Sequence, residues 1–284
     1  MMDRRSFLSL SLALGVMPAR LLAAGGTQDV ISIGGDVTEI IFALGQDHRL
    51  LARDTTSTFP AAAQKLPDVG YMRSLSAEGV LSFAPELIVS AEGAGPPEVI
   101  DILRAASVEF AEVPTGYDTE AIVRKIETVG AALDVQDRSA KLATETRDAL
   151  NMALNRAARR DEDKARVMFI LSTQGGRILA SGTGTGADGI IQMAGGVNAI
   201  SSFEGYKPLS DEAASAAAPD VILMMDRDGG HASTDAELFA LPALSATPAA
   251  EIRKVVRMDG LFLLGFGPRT ADAVTALNRA LYPT

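Results

Sequence analysis

Short apolar runs alternate with amphipathic stretches through the first half of the chain. Continuous apolar runs suit buried strands, and apolar residues that recur every three or four positions suit helices with one buried face. The predicted strands are Val30–Ile33, Leu87–Val89 and Val108–Val113, and the predicted helices are Val37–Leu44, Pro97–Ala106 and Thr119–Leu133. Strands and helices that alternate in this way form a mainly parallel sheet covered by helices.

The second half resumes the alternation after a stretch of a different kind. Residues 137–160 contain neither Gly nor Pro and are rich in good helix formers, which predicts one helix on the order of 36 Å long. The later predicted strands are Arg166–Leu171, Val221–Met225 and Lys254–Met258, and the later predicted helices are Gly186–Ala194, Ser210–Ala217 and Pro268–Leu281. The sequence therefore predicts an α/β protein with two Rossmann-like lobes, residues 28–136 and 165–284, joined by a single long helix over residues 137–160.

An internal repeat relates the two lobes. The stretch from Ser76 to Val89 lines up with the stretch from Ser210 to Leu223, and each reads Ser-x-Glu, a short helix, Pro with an acidic residue, and an apolar strand. Each Ser can cap its helix, and each Glu lies in the positively polarised first turn. Glu78 and Glu212 are therefore predicted to occupy equivalent positions, one in each lobe.

The first 24 residues have the layout of an export signal. Arg4 and Arg5 precede an apolar stretch from Phe7 to Met17, and small residues follow at Ala23–Gly26. This stretch is shorter than the ~20 residues that a membrane-spanning helix needs. We predict a signal peptide over residues 1–24, cleaved near Ala24, that sends the protein to the periplasm. The Arg pair favours the twin-Arg route, with the general route left open.

Composition and charge exclude several classes of protein and site. The formal net charge of −10 and the pI of about 4.8 argue against a nucleic-acid partner, because phosphate contacts need clustered Lys and Arg. The absence of Cys excludes disulfides, thiolate metal sites and Cys nucleophiles. With only two His, a three-His zinc site is impossible. The sequence contains no G-x-S-x-G nucleophile elbow or other catalytic constellation, so we do not expect an enzyme.

A glycine motif leaves one alternative open. The stretch Gly184–Gly189 fits G-x-G-x-x-G, follows a short apolar run and opens a predicted helix, and Glu204 stands where a ribose-binding acid would be expected. One interpretation is an exported NAD(P)-dependent enzyme. The other is a helix that packs closely on its neighbours, since Gly allows close approach.

One segment is the most specific indication of the protein's family. It runs from Val69 through Gly70-Tyr71-Met72-Arg73 to Leu81, and continues from Pro85 through Glu92-Gly93-Ala94-Gly95-Pro96-Pro97 to Val99. This segment resembles the periplasmic haem-binding proteins of bacterial haem ABC importers. Further similar stretches lie at residues 53–60, 184–199, 205–210 and 258–269, so the resemblance covers nearly the whole mature chain. It implies the class III periplasmic binding protein fold, in which one rigid helix joins the two lobes.

The resemblance also implies a function and its partners. A monomeric protein would capture haem b, as transported ligand, in the inter-lobe cleft and deliver it to an ABC permease dimer at the inner membrane. Within the same class, the alternative ligand is cobalamin or a ferric siderophore.

The resemblance makes Tyr71 the iron ligand, whereas its spacing alone would favour an ordinary loop tyrosine. A Tyr phenolate is a known haem-iron ligand, but a free phenol has a pKa near 10 and needs help to ionise. Arg73 would project to the same side if the segment is extended, and its positive charge would favour the phenolate. Met72 and Leu75 would supply apolar contacts.

Other residues complete the predicted sites. Contacts to the propionates or to the other face of haem are expected from residues of the second lobe, namely Arg177, Tyr206, Lys207, Arg227 and His231. His231 lies in a Gly-rich loop after a predicted strand, where ligands of α/β sheets bind. The resemblance makes Glu78 and Glu212 the docking points for Arg residues of the permease, with Glu39 a weaker candidate.

Overall fold

The first lobe is built on a four-stranded parallel sheet. The structure, a computed structural model, describes residues 29–226 and 234–283. The strands of the first lobe are β1 (Val30–Ile33), β2 (Leu50–Arg53), β3 (Leu87–Ala91) and β4 (Glu109–Val113). They lie in the order β2-β1-β3-β4, and all of them are parallel. The helices are α1 (Gly35–Ala43), α2 (Ala77–Leu81), α3 (Pro97–Ala105) and α4 (Thr119–Ala132).

A long helix, α5 (Gln136–Ala157), follows the first lobe. It packs against α4 on one side and against α12, the last helix of the second lobe, on the other. Its buried residues include Leu150, Ala153 and Ala157, which belong to the same apolar cluster as strand residues of both sheets. The helix therefore joins the two lobes through a shared core. Among the described residues, no helix is long and apolar enough to cross a membrane.

The second lobe has a mixed sheet. Its strands are β5 (Arg166–Ser172), β6 (Ile178–Ser181), β7 (Val197–Asn198), β8 (Tyr206–Leu209), β9 (Val221–Met225) and β10 (Val255–Met258). The order is β10-β9-β5-β6-β8, and β7 pairs with the start of β5. Strand β6 runs antiparallel to both of its neighbours, so this sheet is not wholly parallel.

Seven helices of the described second lobe cover this sheet. They are α6 (Gly186–Met193), α7 (Asp211–Ala216), α8 (Asp235–Phe239), α9 (Pro242–Ser245), α10 (Pro248–Glu251), α11 (Gly260–Leu264) and α12 (Thr270–Leu281). The two-lobe α/β fold predicted from the sequence is confirmed. The sequence missed β8, an exposed edge strand that contains Pro208 and so shows no apolar alternation.

The repeat is visible in the backbone. The Ser76 hydroxyl accepts a hydrogen bond from Gly79 N at 3.3 Å, and the Ser210 hydroxyl accepts one from Ala213 N at 3.2 Å. Ala84 and Ala218, at matching positions, both adopt the left-handed conformation, with φ of 50° and 43°. Each is followed by an apolar strand that has parallel neighbours on both sides. The two helix starts are therefore structurally equivalent.

Candidate ligand-binding cleft

A cleft of about 450 Å³ lies between the lobes. Its first wall comes from the loops after β1, β2, β3 and β4, together with α4, and its second wall from the end of β9 and from α11. Ligands of open α/β sheets bind outside the carboxyl ends of the strands. The cleft therefore combines the ligand-binding edges of both sheets.

Tyr71, Met72 and Arg73 all line the first wall. The segment is not extended as the sequence analysis supposed, because Ser74 N donates to Tyr71 O at 2.7 Å and closes a turn. Arg73 nevertheless lies on the same cleft wall as Tyr71. The turn thus brings both side chains to the cleft by a different local geometry.

The Tyr71 turn is held on both sides. Upstream, Gly70 has φ of 98° and its N–H donates to Asp68 Oδ1 at 2.7 Å. Downstream, Gly95 N donates to Met72 O at 2.8 Å and Gly95 O accepts from Leu75 N at 2.9 Å. Leu75 is buried in the first lobe, so it anchors the turn and does not line the cleft. The Glu92–Pro97 stretch therefore positions Tyr71.

The polar groups of this turn are free to act on a ligand. Tyr71 is 45% exposed. Within residues 29–226 and 234–283, neither the Tyr71 hydroxyl nor the Arg73 guanidinium makes a hydrogen bond or an ion pair. Opposite them, Met225, Leu261 and Leu264 supply apolar surface. The cleft thus combines an oxygen donor, a positive charge and an apolar wall.

Lys125 lies in the lining of the cleft and was not identified from the sequence. Its ammonium is 2.6 Å from Asp36 Oδ2 and 3.3 Å from the carbonyl oxygen of Gly265, so it links the two lobes. Lys125 is buried within the apolar stripe of α4 between Ile122 and Ile126. A lysine inside an apolar stripe could have pointed to Lys125 in the sequence, because Lys is rarely buried unless it is paired.

Three predicted contacts of the second lobe do not line the cleft. Tyr206 packs edge-on against Phe169, with the ring centroids 6.3 Å apart. Burial raises the pKa of the Tyr206 phenol, although polar groups of Thr185 and Ser181 oppose this shift. The Lys207 ammonium lies 5.4 Å from the centre of the Phe203 ring, and Arg177 is exposed in the turn before β6. Arg227 and His231 lie outside the described residues.

The glycine motif serves packing between the lobes. A Cβ added at Gly189 would lie 2.7 Å from Tyr117 Cβ, and one at Gly186 would lie 3.2 Å from the Phe266 ring. The start of α6 is also occupied by its own side chains, since Thr185 Oγ1 accepts from Asp188 N and Asp188 accepts from Gly184 N. These contacts favour the packing interpretation over dinucleotide binding.

The two predicted docking residues differ from Glu39. Glu78 and Glu212 are exposed in the first turns of α2 and α7. The backbone N–H of Glu212 itself and the Ser210 hydroxyl lower the pKa of the Glu212 carboxyl. Glu39 is buried, and its Oε2 is 2.7 Å from Arg269 Nη2. Glu39 is therefore unavailable for docking, because its carboxylate is committed to a contact within the protein.

Comparison with known proteins gives consistent results. The structure of the periplasmic haem-binding protein BhuT in complex with two haems is 42% identical and has a TM-score of 0.85, over 90% of this chain and 98% of that chain. The apo structure of the periplasmic haem-binding protein RhuT from Roseiflexus sp. RS-1 is 37% identical, with the same TM-score and the same coverage.

A third relative has a different ligand in its name. A vitamin B12-binding protein from Photorhabdus laumondii is 31% identical over 141 residues, which are 49% of this chain and 50% of that protein. The chain therefore matches only about half of that protein's length. The model of the family described as periplasmic binding protein matches residues 30–260, which include the strands of both sheets. This chain therefore belongs to the periplasmic binding protein family.

Proposed function

We propose that this protein captures haem b in the cleft between its lobes and delivers it to an ABC permease dimer at the inner membrane. It would act as a monomer in the periplasm after export. The Tyr71 turn is the observation that carries the proposal. It presents an exposed phenol and a guanidinium to the same wall of the cleft, both without partners among the described residues.

The chemistry of the cleft supports haem as the ligand. A phenolate oxygen suits ferric iron, and the positive charge of Arg73 lies on the same wall of the cleft. Met72 and Met225 are flexible apolar side chains that can follow the flat faces of a porphyrin. Mostly apolar walls with a few placed polar groups are typical of small-molecule sites.

The similar proteins support the same ligand. The haem-binding proteins compared above match nearly their whole length at 37% and 42% identity. Cobalamin is the second candidate, favoured by the similarity to the vitamin B12-binding protein. We also propose that Glu78 and Glu212 contact the permease, since both are exposed at equivalent helix starts.

An absorbance titration tests the proposed function. Adding hemin to the mature protein should give a Soret band and a charge-transfer band typical of a haem–tyrosinate complex. Cyanocobalamin and a ferric siderophore, added separately, serve as the competing ligands. Tight binding of either one with no spectral change for hemin would contradict the proposal.

Arg73 is proposed to favour the iron–phenolate bond without making it. Replacing it (Arg73→Ala) should leave hemin bound but raise the pH at which the charge-transfer band develops, because the cleft wall that carries the phenolate loses a positive charge. The measurement is a pH titration of the haem complex. The matched control is Arg147→Ala, which removes an exposed arginine of α5 that pairs with Glu120. Identical titrations for Arg73→Ala and the unaltered protein would eliminate this role.

A further inference from the structure

A five-residue segment of the second lobe, Gly265–Arg269, carries contacts to the first lobe along its length. We call it the inter-lobe strap. The Gly265 carbonyl accepts from Lys125 Nζ at 3.3 Å, and the Phe266 ring lies 5.0 Å from the Tyr117 ring, centre to centre. The strap follows directly on α11, whose residues Leu261 and Leu264 line the cleft.

The far end of the strap is an ion pair. Arg269 Nη2 donates to Glu39 Oε2 at 2.7 Å, and Arg269 N donates to Glu39 Oε1 at 3.3 Å. The Glu39 side chain is only 6% exposed, so breaking the pair would leave a buried charge without its partner. The guanidinium also stacks at 3.5 Å on the ring of Phe59, a second residue of the first lobe. The strap therefore contacts two separate parts of the first lobe, helix α1 through Glu39 and the loop that carries Phe59.

The middle of the strap has an unusual backbone. Phe266 adopts φ of 51°, although it is neither Gly nor Asn, and its side chain is only 2% exposed. Such residues persist where their surroundings hold them, and they cluster at ligand clamps and other functional sites. Here the surroundings are Tyr117 and the glycines Gly186 and Gly189, whose missing side chains make room for the two rings. The glycine motif and the strap therefore form one contact between the lobes.

We propose that the inter-lobe strap sets the spacing of the two cleft walls and thereby determines how firmly the ligand is held. Arg269 and Gly189 are positioning residues in this proposal, since neither lines the cleft. The statement about spacing stands on the contacts above, and the statement about the ligand rests on the proposed function. A loosened strap would let the wall that carries Leu261 and Leu264 move away from Tyr71.

The experiment measures the spacing directly. The chain has no cysteine, so two can be introduced at exposed positions, Ile102→Cys in the first lobe and Ile252→Cys in the second, and labelled with nitroxides. Pulsed electron paramagnetic resonance then gives the distance distribution of the ligand-free protein. The parent should give one narrow distribution, and Arg269→Met should give a broader one. The hemin dissociation rate of Arg269→Met should rise about tenfold or more, because affinity changes among related complexes occur mostly in dissociation.

Two further variants make the test decisive. Gly189→Ala displaces Tyr117 and so disturbs the packing of the Tyr117 and Phe266 rings between the lobes. It should also broaden the distribution of distances between the two nitroxides. Arg104→Met is the matched control. Arg104 pairs with Glu112 at 2.7 Å and lies over the Phe110 ring, but all three residues belong to the first lobe. The nitroxide distance distribution and the hemin dissociation rate of Arg104→Met should equal those of the parent protein.

The outcomes separate the strap from the proposed function. Unchanged distributions in folded Arg269→Met and Gly189→Ala would overturn the strap, and a broader distribution without faster hemin release would overturn its effect on the ligand. Should Arg269→Met fail to fold, Gly189→Ala decides. If the parent protein does not bind hemin at all, the proposed function fails. The nitroxide distance distributions would still test whether the strap sets the spacing of the cleft walls.

Discussion

Replacing Tyr71 with Phe should abolish the charge-transfer band of the haem complex and weaken hemin binding by about 100-fold, which corresponds to ~2.7 kcal/mol. The substitution keeps the ring and removes only the oxygen that is proposed to bind iron. Tyr71 is exposed, and among the described residues its hydroxyl has no hydrogen-bond partner, so the fold should not depend on that oxygen. The measurement is a hemin titration followed by absorbance.

Tyr282→Phe is the matched control for this change. The Tyr282 hydroxyl donates to Gly195 O at 2.6 Å and accepts from Ala165 N at 2.9 Å, and none of these three residues lines the cleft. Its loss should lower the free energy of unfolding by about 1–3 kcal/mol and leave the haem spectrum unchanged. A Tyr71→Phe complex with the parent's Soret and charge-transfer bands would show that another group binds the iron.

Reversing both docking charges, Glu78→Lys with Glu212→Lys, should abolish permease-dependent haem uptake and the stimulation of the permease ATPase. Each exposed ion pair alone contributes only ~0–1 kcal/mol. Two pairs engaged at once gain from effective concentration, so losing both should cost more than the sum of the single losses. The lowered pKa of Glu212 keeps this carboxylate ionised to a lower pH than an ordinary glutamate. Uptake is measured in cells, and ATPase activity with the purified permease in liposomes.

The control for charge reversal uses two other exposed acids. Glu98→Lys with Glu251→Lys changes the net charge by the same amount, again with one residue in each lobe, on α3 and α10. This pair should leave uptake unchanged. Hemin binding to the isolated protein should survive in both double variants, because none of the four residues lines the cleft. Full uptake by Glu78→Lys with Glu212→Lys, or a loss of hemin binding in it, would discard the docking proposal.

Features encoded in consecutive residues were predicted from the sequence. Strands β1, β3 and β4 and the capped starts of α2 and α7 follow from apolar runs and from Ser-x-Glu, which are short-range patterns. The Tyr71 segment was found for the same reason, since its residues are contiguous. Its conformation was not predicted, because the turn is held in place by hydrogen bonds to Gly95, which lies twenty or more positions away.

Whatever depends on which segments meet was decided by the tertiary structure alone. Glu39 and Arg269 are 230 positions apart, and nothing near Glu39 in the sequence distinguishes a buried, paired carboxylate from an exposed one. The glycines at the start of α6 leave a nucleotide loop open as an alternative until Tyr117 and Phe266 are placed against them. Local pattern thus determined the longer helices and most of the strands, and the family resemblance of the Tyr71 segment supplied the candidate ligand. The burial and pairing of charges required the packing of the two lobes, because desolvation is a property of the assembled neighbourhood.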